Sequence, residues 1–138
     1  SLLPVLFPVH PRTRQRIVDA GLEVGDAISL LEPVGYLEFL GLMAHCKLML
    51  TDSGGIQEET TCLGVPCLTL RDNTERPITI SEGSNTLLGS DASLIIPAVQ
   101  EILNGGGKQG RIPALWDGQS ADRVADVVCN GFRTLLEG

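Results

Sequence analysis

The sequence predicts an α/β protein of the doubly wound parallel class, with a Rossmann-like sheet covered by helices on both faces. Short apolar runs, mostly without alternation, take turns along the chain with helical segments of about ten residues, which is typical of a sheet buried on both sides. Helical segments are bounded by breakers such as Gly21, Gly64 and Pro77. With 138 residues and 43% hydrophobic content, the chain is expected to form one domain with a real core, residues 1–138.

Each predicted element has a local signal. Strands are placed at apolar runs between breakers, and helices where apolar residues recur with a helical period; Ser120 is expected to cap the last helix. The predicted strands are Val5–Val9, Ile28–Leu31, Lys47–Leu50, Pro66–Leu70 and Thr86–Leu88. The predicted helices are Arg12–Ala20, Tyr36–Cys46, Gly54–Leu63, a short one from Pro77, Ala92–Leu103, and Ser120 to about Leu136. Because the first strand begins almost at residue 1, we expect the chain to be part of a longer protein.

The junction between the third strand and its helix predicts an anion site. Ser53, Gly54 and Gly55 open the helix there, and the first N–H groups of a helix have no internal acceptor and a positive potential. Glycines let a ligand oxygen approach the main chain, and the serine adds a hydroxyl. Glu59 lies about 9 Å further along the axis, where it could accept hydrogen bonds from sugar hydroxyls. Ile56 stands where a capping box needs Glu or Gln, which leaves the Ser53 side chain for another partner.

Two further strand ends carry candidate ligand groups. Arg76 ends a polar loop after the fourth strand, and its guanidinium could grip a diphosphate held at the neighbouring glycine turn; a solvated surface loop is the alternative. His10 follows the first strand, where it either contacts a ligand or caps the next helix. Phe39 and Tyr36 are spaced i, i+3 on one helix, which on spacing alone favours core packing for both.

Charge and cysteine spacing exclude several classes. A net charge of −7 with scattered basic residues argues against nucleic-acid binding, and no apolar run approaches the roughly 20 residues that span a membrane. The four cysteines form no C-x-x-C pair, so neither a metal nor a redox site is expected. The G-x-S-x-G, G-x-G-x-x-G and Walker patterns are absent. We expect a cytoplasmic protein without cofactor or membrane partner.

Taken together, these motifs resemble the non-hydrolysing UDP-N-acetylglucosamine 2-epimerases. The resemblance covers essentially the whole chain and implies the C-terminal, UDP-binding one of two Rossmann-like domains in a B-type glycosyltransferase-like arrangement. The N-terminal domain would then lie outside this chain and be its partner, with a homodimer possible in the full-length protein. The motifs that carry the resemblance are His10-Pro11, Thr51–Glu59, Gly64–Pro66, Arg71–Pro77 and Trp116–Arg123.

The resemblance assigns ligand roles to the candidate residues. It implies that Ser53, Gly54 and Gly55 bind the diphosphate of a UDP-sugar and that Glu59 binds the ribose hydroxyls. No metal is implied.

The remaining implied contacts come from other strand ends. His10 and Arg76 would contact the phosphates, Phe39 would flank the uracil, and the loop ending at Val34 would offer backbone groups to the uracil edge. Tyr36 is left as core. His10 is the one candidate in this chain for a catalytic role, since the family's proton-transfer carboxylates lie in the other domain.

The implied reaction interconverts UDP-N-acetylglucosamine and UDP-N-acetylmannosamine by elimination and re-addition of UDP. Because the chain offers leaving-group stabilisation but no acid and base for the C2 proton, we expect it to be inactive alone and to bind UDP weakly at best. Two alternatives stay open: the nucleotide-sugar-binding half of a B-type glycosyltransferase, and a stand-alone UDP-sugar-binding or regulatory module.

Overall fold

The structure, a computed structural model, describes residues 3–136, with side chains described as far as residue 130. Strands and helices alternate from residue 5 to residue 103, as predicted, and one more helix follows without a strand before it. The strands are β1 (Val5–Pro8), β2 (Ile28–Leu31), β3 (Met49–Thr51), β4 (Cys67–Thr69) and β5 (Asn85–Leu87). The helices are α1 (Pro11–Asp19), α2 (Tyr36–His45), α3 (Gly54–Leu63), α4 (Pro77–Ser81), α5 (Ile95–Leu103) and α6 (Ser120–Leu136), with a 3-10 turn at Ala92–Leu94.

The chain divides into two compact units, residues 1–42 and residues 43–138, with the division inside α2. The first unit contains β1 and β2, which pair in parallel from Val5 opposite Ile28 to Pro8 opposite Leu31. The amide of Val9 extends the pairing by donating to the Leu31 carbonyl at 3.1 Å. The carboxyl ends of β1 and β2 therefore lie at one edge of this sheet.

The second unit is built on a three-stranded parallel sheet in the order β3-β4-β5. Thr51 of β3 lies opposite Thr69 of β4, and Thr69 lies opposite Leu87 of β5. The Leu70 amide donates to the Thr51 carbonyl at 2.8 Å, so the two strands leave the sheet together. The loops that follow β3 and β4 consequently begin side by side at the carboxyl edge.

Polar side chains make up much of the interior of the second unit. Its buried apolar residues are few, whereas several threonines, a glutamine and an asparagine are also removed from solvent. Such groups are stable inside a protein only when they are hydrogen-bonded. Burial also raises the pKa of the Cys67 thiol in the central strand. Among the side chains that the structure describes, the buried ones of this unit include Met43, Val65, Cys67 and Leu68, which are apolar, and Thr51, Gln57, Thr60, Thr61, Thr69, Thr79, Ser84 and Asn85, which are polar.

The structure corrects three local expectations. Tyr36 is 64% exposed, so its assignment to the core is wrong. The helix predicted from Ala92 begins with a 3-10 turn, whose start is capped by Oδ1 of Asp91 accepting from the Ser93 amide at 2.9 Å. Ser120 is the first residue of α6 and not its cap. Residues 1, 2, 137 and 138 of the predicted domain lie outside the described part of the chain.

No helix in the described part of the chain combines the length and apolar character needed to cross a membrane.

Candidate functional site

The turn from β3 into α3 presents the unpaired amides of a helix start. Ser53 has extended backbone at the N-cap, and its side chain makes no hydrogen bond to the helix. Its own N–H donates to Oγ1 of the buried Thr51 at 3.0 Å, which closes the turn. The N–H groups of Gly54, Gly55 and Ile56 have no acceptor inside the helix, since such a bond would need a preceding turn. These amides are thus available to an anion, and the absence of a Ser53 cap is as predicted.

Gly54 and Gly55 leave open space above the turn. A Cβ placed on either glycine would meet no atom within 4 Å. Neither glycine adopts left-handed backbone, in contrast to Gly64, which ends α3 with φ of 68°. Neither the packing nor the backbone conformation of this unit therefore requires glycine at positions 54 and 55. The open approach is the property that an anion site at these amides needs.

The loop between β4 and α4 is anchored beside this turn. Oδ1 of Asp72 accepts hydrogen bonds from the amide and the hydroxyl of Ser90, at 3.0 and 3.1 Å. The Gly89 amide donates to the Arg71 carbonyl at 3.1 Å. The loop is thereby tied to the segment that follows β5. Its far end, at Arg76, precedes Pro77 at the start of α4.

Arg76 lies against the second turn of α3. Its Nε atom is 3.0 Å from Oε1 of Glu58, with both side chains about two-fifths exposed. The Nε–H does not point at that oxygen, so the contact is an ion pair and not a hydrogen bond. Nη1 donates to the Glu75 carbonyl at 3.3 Å. The guanidinium is therefore held against α3, the helix that begins at the glycine turn. The sequence predicted that Arg76 and this turn lie at neighbouring strand ends.

The two adjacent glutamates of α3 have different surroundings. Glu58 contacts Arg76. Glu59 is half-buried one residue further on, about 100° around the helix. Because the two carboxylates diverge, a shared catalytic pair is excluded, as the sequence indicated. Glu59 stays the predicted ribose contact.

The predicted contacts His10, Val34 and Phe39 belong to the first unit. Nδ1 of His10 accepts from the Arg12 amide at 3.2 Å, so the histidine caps α1. A ring nitrogen that accepts leaves the proton on Nε2, which can donate to a ligand oxygen. Val34 and Phe39 are both half-buried. The structure thus supports the capping interpretation of His10 and leaves its phosphate contact a prediction.

The segment after β2 is held by α1. Nη2 of Arg14 donates to the Leu31 carbonyl at 3.1 Å and lies 3.1 Å from Oε1 of Glu32. This arginine therefore fixes the start of the loop that leads to Val34.

The sequence analysis missed a set of buried and half-buried polar residues beneath the site. Gln57, Thr74 and Asn85 are joined by hydrogen bonds between α3, the Arg76 loop and β5. On a sequence, a glutamine beside two glutamates reads as part of a solvated face. One signal was present: Gln57, Thr60 and Thr61 share the i, i+3, i+4 spacing of a buried helix face.

The motif Trp116–Arg123 forms a local structure at the start of α6. Both terminal guanidinium nitrogens of Arg123 donate to the carboxylate of Asp117, Nη1 to Oδ1 at 2.8 Å and Nη2 to Oδ2. The pKa of Asp117 is lowered by that hydrogen bonding from Arg123 and by the Gln119 amide. The motif is therefore a helix start held by an ion pair. None of its atoms is bonded to the glycine turn among the contacts described.

A cleft of about 350 Å³ lies elsewhere in the second unit, where β4 and β5 begin. Pro66, Ser84, Glu101 and Lys108 are among its lining residues. Partial burial lowers the pKa of Lys108, whose Nζ donates to the Asn85 carbonyl at 3.2 Å. The cleft is at the opposite edge of the sheet from the glycine turn and contains none of the predicted site residues.

The chain is similar in sequence to known proteins. A protein-family model described as UDP-N-acetylglucosamine 2-epimerase matches residues 1–129. The UDP-N-acetylglucosamine 2-epimerase of Methanococcus maripaludis is 50% identical over 103 residues, which are 72% of this chain and 28% of that protein. The UDP-2,3-diacetamido-2,3-dideoxy-D-glucuronate 2-epimerase of Pseudomonas aeruginosa is 37% identical over 126 residues, covering 91% of this chain and 35% of that protein.

Solved structures give the same result. The crystal structure of Methanocaldococcus jannaschii UDP-GlcNAc 2-epimerase in complex with UDP-GlcNAc and UDP matches with a TM-score of 0.74 at 41% identity, over 92% of this chain and 36% of that one. The Rossmann-like α/β class, as part of a B-type glycosyltransferase-like architecture, is thereby confirmed. The chain spans about a third of the length of these relatives. With nearly all of its length matched by the family model, the chain belongs to the UDP-N-acetylglucosamine 2-epimerase family.

Proposed function

We propose that this chain is the C-terminal, UDP-binding domain of an enzyme that interconverts UDP-N-acetylglucosamine and UDP-N-acetylmannosamine. The observation that carries the proposal is the open Ser53-Gly54-Gly55 turn, with Arg76 held on the same helix. A helix start supplies amides and a positive potential, and an arginine supplies a planar, permanently charged donor. Together they form a diphosphate site in a chain whose net charge of −7 would otherwise repel such a ligand.

The residue roles follow the chemistry of each group. The Gly54 and Gly55 amides, with the Ser53 hydroxyl, bind the diphosphate, and Arg76 turns from Glu58 to share it. Glu59, further along α3, accepts from the ribose hydroxyls.

Residues of the first unit complete the nucleotide contacts. His10 donates from Nε2 to a phosphate oxygen, Phe39 packs against the uracil, and the main chain at Val34 bonds the uracil edge. The N-terminal domain, outside this chain, supplies the sugar side of the site. No cofactor takes part in the proposed reaction.

The proposed reaction is elimination followed by re-addition. A base removes the C2 proton, the bond from C1 to the UDP oxygen breaks, and 2-acetamidoglucal and UDP result. UDP then adds back to C1 while C2 receives a proton on the opposite face. Negative charge grows on the departing β-phosphate as the bond breaks, and preorganised amides and Arg76 stabilise it there. The acid and base lie outside this chain, so the chain alone binds but does not turn over substrate.

The names of the relatives point to two candidate sugars for the substrate. Most are named for UDP-N-acetylglucosamine, but the Pseudomonas aeruginosa relative is named for a diacetamido-dideoxy-glucuronate. Because the residues described above bind UDP and not the sugar substituents, they favour neither. We choose UDP-N-acetylglucosamine because the first matched relatives and the matched complex carry that name.

Turnover of the full-length protein tests the proposal. The full-length protein should convert UDP-N-acetylglucosamine to its C2 epimer and exchange the C2 hydrogen with deuterium from solvent, whereas the 138-residue chain should do neither. If only the UDP-linked diacetamido-glucuronate is turned over, the proposed sugar substrate is wrong and the proposed UDP site is retained. Transfer of the sugar to an acceptor, without epimerisation, would favour the glycosyltransferase alternative.

Other aspects of the proposal rest on the resemblance. We assign the protein a cytoplasmic location and a role in cell-envelope polysaccharide biosynthesis, with a homodimer possible in full length. A stand-alone UDP-sugar-binding module is the second candidate. Fractionation of cells checks the location, and the oligomeric state of the full-length protein checks the homodimer. The turnover assay decides between enzyme and binding module.

A further inference from the structure

The Gln57 side chain is fully buried and joins three elements of the second unit. Its Nε2 donates to the carbonyl of Ser53 at 3.2 Å, in the proposed diphosphate turn. Its Oε1 accepts from Oγ1 of Thr74 at 2.6 Å and from Nδ2 of Asn85 at 3.0 Å. One amide therefore connects the turn before α3, the loop that carries Arg76, and the strand β5.

Further hydrogen bonds connect Thr74 and Asn85 to both main-chain polar groups of Arg76. Its N–H donates to Oγ1 of Thr74 at 3.0 Å, and its carbonyl accepts from Oγ1 of Thr79 at 2.7 Å. Thr79 in turn accepts from Nδ2 of Asn85 at 3.1 Å, and Asn85 also bonds Gln57. Arg76 is thus held on both sides by hydroxyls that depend on Gln57 and Asn85.

The donor and acceptor properties of the bonded groups fix the direction of these hydrogen bonds. The Ser53 carbonyl can only accept, so Nε2 of Gln57 faces it and Oε1 faces the two donors. Asn85 is oriented by the same logic, because Oε1 of Gln57 can only accept, so Nδ2 of Asn85 faces it and Oδ1 accepts from Oγ1 of Thr69 at 2.6 Å. Reversing either amide would bring two donors or two acceptors together. The connected groups therefore have one consistent arrangement, and a connected, satisfied network of this kind rigidifies the backbone that it joins.

We propose that Gln57 is a positioning residue of the diphosphate site, which sets the separation between the Ser53 turn and Arg76 through its buried amide. The inference rests on the proposed function, since it gives those two features a common ligand. The ion pair between Arg76 and Glu58 is too exposed to set this geometry alone, because both side chains remain about two-fifths in solvent. The part-buried hydrogen bonds from Thr74 and Thr79 act on the main chain of Arg76 and leave its guanidinium free to move between Glu58 and phosphate.

Calorimetric titration of the full-length protein with UDP and with uridine tests this role. Both probes present the base and ribose, and only UDP presents the diphosphate, so the ratio of the two affinities isolates the site in question. The direct variant is Gln57→Met, which is similar in size and makes none of the three bonds. Thr74→Val cuts only the connection to Arg76, and Thr74→Ser restores it. Thr60→Val is the matched control, because Thr60 is equally buried on α3 and its hydroxyl bonds the Ile56 and Gln57 carbonyls and the Cys67 thiol, but neither Thr74 nor Asn85.

The expected result is a selective loss. Thr74→Val should lower the UDP affinity by about fivefold, Gln57→Met by tenfold or more, and neither should change uridine binding. Thr74→Ser and Thr60→Val should keep the wild-type ratio, although Thr60→Val unfolds at lower urea. In an Arg76→Ala background, Thr74→Val should cause no further loss of UDP affinity.

Two results would overturn the proposal in distinguishable ways. If the wild-type protein binds UDP and uridine equally, there is no diphosphate site, and the proposed function and this role fail together. If the wild type prefers UDP and Thr74→Val keeps that preference, the site stands and the positioning role is wrong. Thr74→Val decides alone should Gln57→Met fail to fold.

Discussion

Oε1 of Glu58 lies 3.0 Å from Nε of Arg76. The guanidinium proposed to bind the diphosphate therefore already contacts a carboxylate of α3, the helix whose first amides are proposed to bind the same diphosphate. A diphosphate must compete with that carboxylate for the arginine. A half-exposed pair of this kind is worth only about 0.5–1 kcal/mol, which a doubly charged ligand can replace. The pair therefore keeps the Arg76 side chain close to the site and still allows it to move to the ligand.

Removing the charge of Glu58 should strengthen UDP binding. Glu58→Gln keeps the size of the side chain but neither neutralises Arg76 nor repels phosphate, so we expect about two- to fivefold tighter UDP binding at low salt. The gain should shrink as salt screens the charges. Glu82→Gln, which breaks the exposed pair of Glu82 with Arg111, is the control and should change nothing. Weaker binding of UDP by Glu58→Gln would show that the carboxylate orients Arg76 for the ligand.

Alanine at Gly55 should separate folding from binding. A Cβ there meets no protein atom within 4 Å, and alanine is the better helix residue, so the free energy of unfolding should be unchanged or higher by up to ~1 kcal/mol. UDP affinity should fall at least tenfold, because the methyl group occupies the space in which phosphate approaches the amides. Gly41→Ala in α2, also in open space, should leave UDP binding unchanged. Thermal unfolding and calorimetry together check this, and undiminished UDP affinity in Gly55→Ala would remove the turn from the site.

The opposite outcome is expected at Gly110. A Cβ there would overlap the Gly83 carbonyl carbon and the Ser84 amide nitrogen, so the two backbones must separate. Overpacking of this kind costs about 1–3 kcal/mol or more. Gly110→Ala should lower the urea midpoint clearly, whereas Gly25→Ala, which meets nothing within 4 Å, should not. Equal midpoints for the two variants would mean that the chain crosses Gly83 less closely than described.

The start of α6 should show a pH-dependent contribution to stability. Arg123 lowers the pKa of Asp117 in the folded state, so the charged carboxylate stabilises the fold above its unfolded pKa of about 4 and loses that effect as pH falls through the lower folded value. Asp117→Asn should therefore be less stable than wild type at neutral pH, and the difference should shrink in acid. Urea unfolding of both proteins across this range checks the sign. A difference that grows as pH falls would contradict the ion pair.

Local sequence signals predicted the frame of the site well. The bounds of α3 follow from the glycine turn at its start and Gly64 at its end, both of which act within a few residues. Strands β3 and β5 were each displaced by one or two residues, since short apolar runs have no such marker at either end. The parallel class followed from the alternation of elements and not from any single boundary.

The support beneath the site could not be predicted in the same way. Gln57 is separated by 17 residues from Thr74 and by 28 from Asn85, so its burial depends on contacts that no local pattern contains. The prediction that Tyr36 is buried was wrong for a related reason. The i, i+3 spacing of two aromatic residues places them on one face of a helix, but it does not show whether another element covers that face. Nucleotide contacts from the first unit, such as Phe39, rest on the family resemblance alone.

A crystal structure of the full-length protein with UDP bound would locate the diphosphate. We expect the β-phosphate within hydrogen-bond distance, about 3 Å, of the Gly54 and Gly55 amides, with Arg76 turned from Glu58 onto the diphosphate. A diphosphate bound elsewhere, with Arg76 still paired to Glu58, would contradict this expectation.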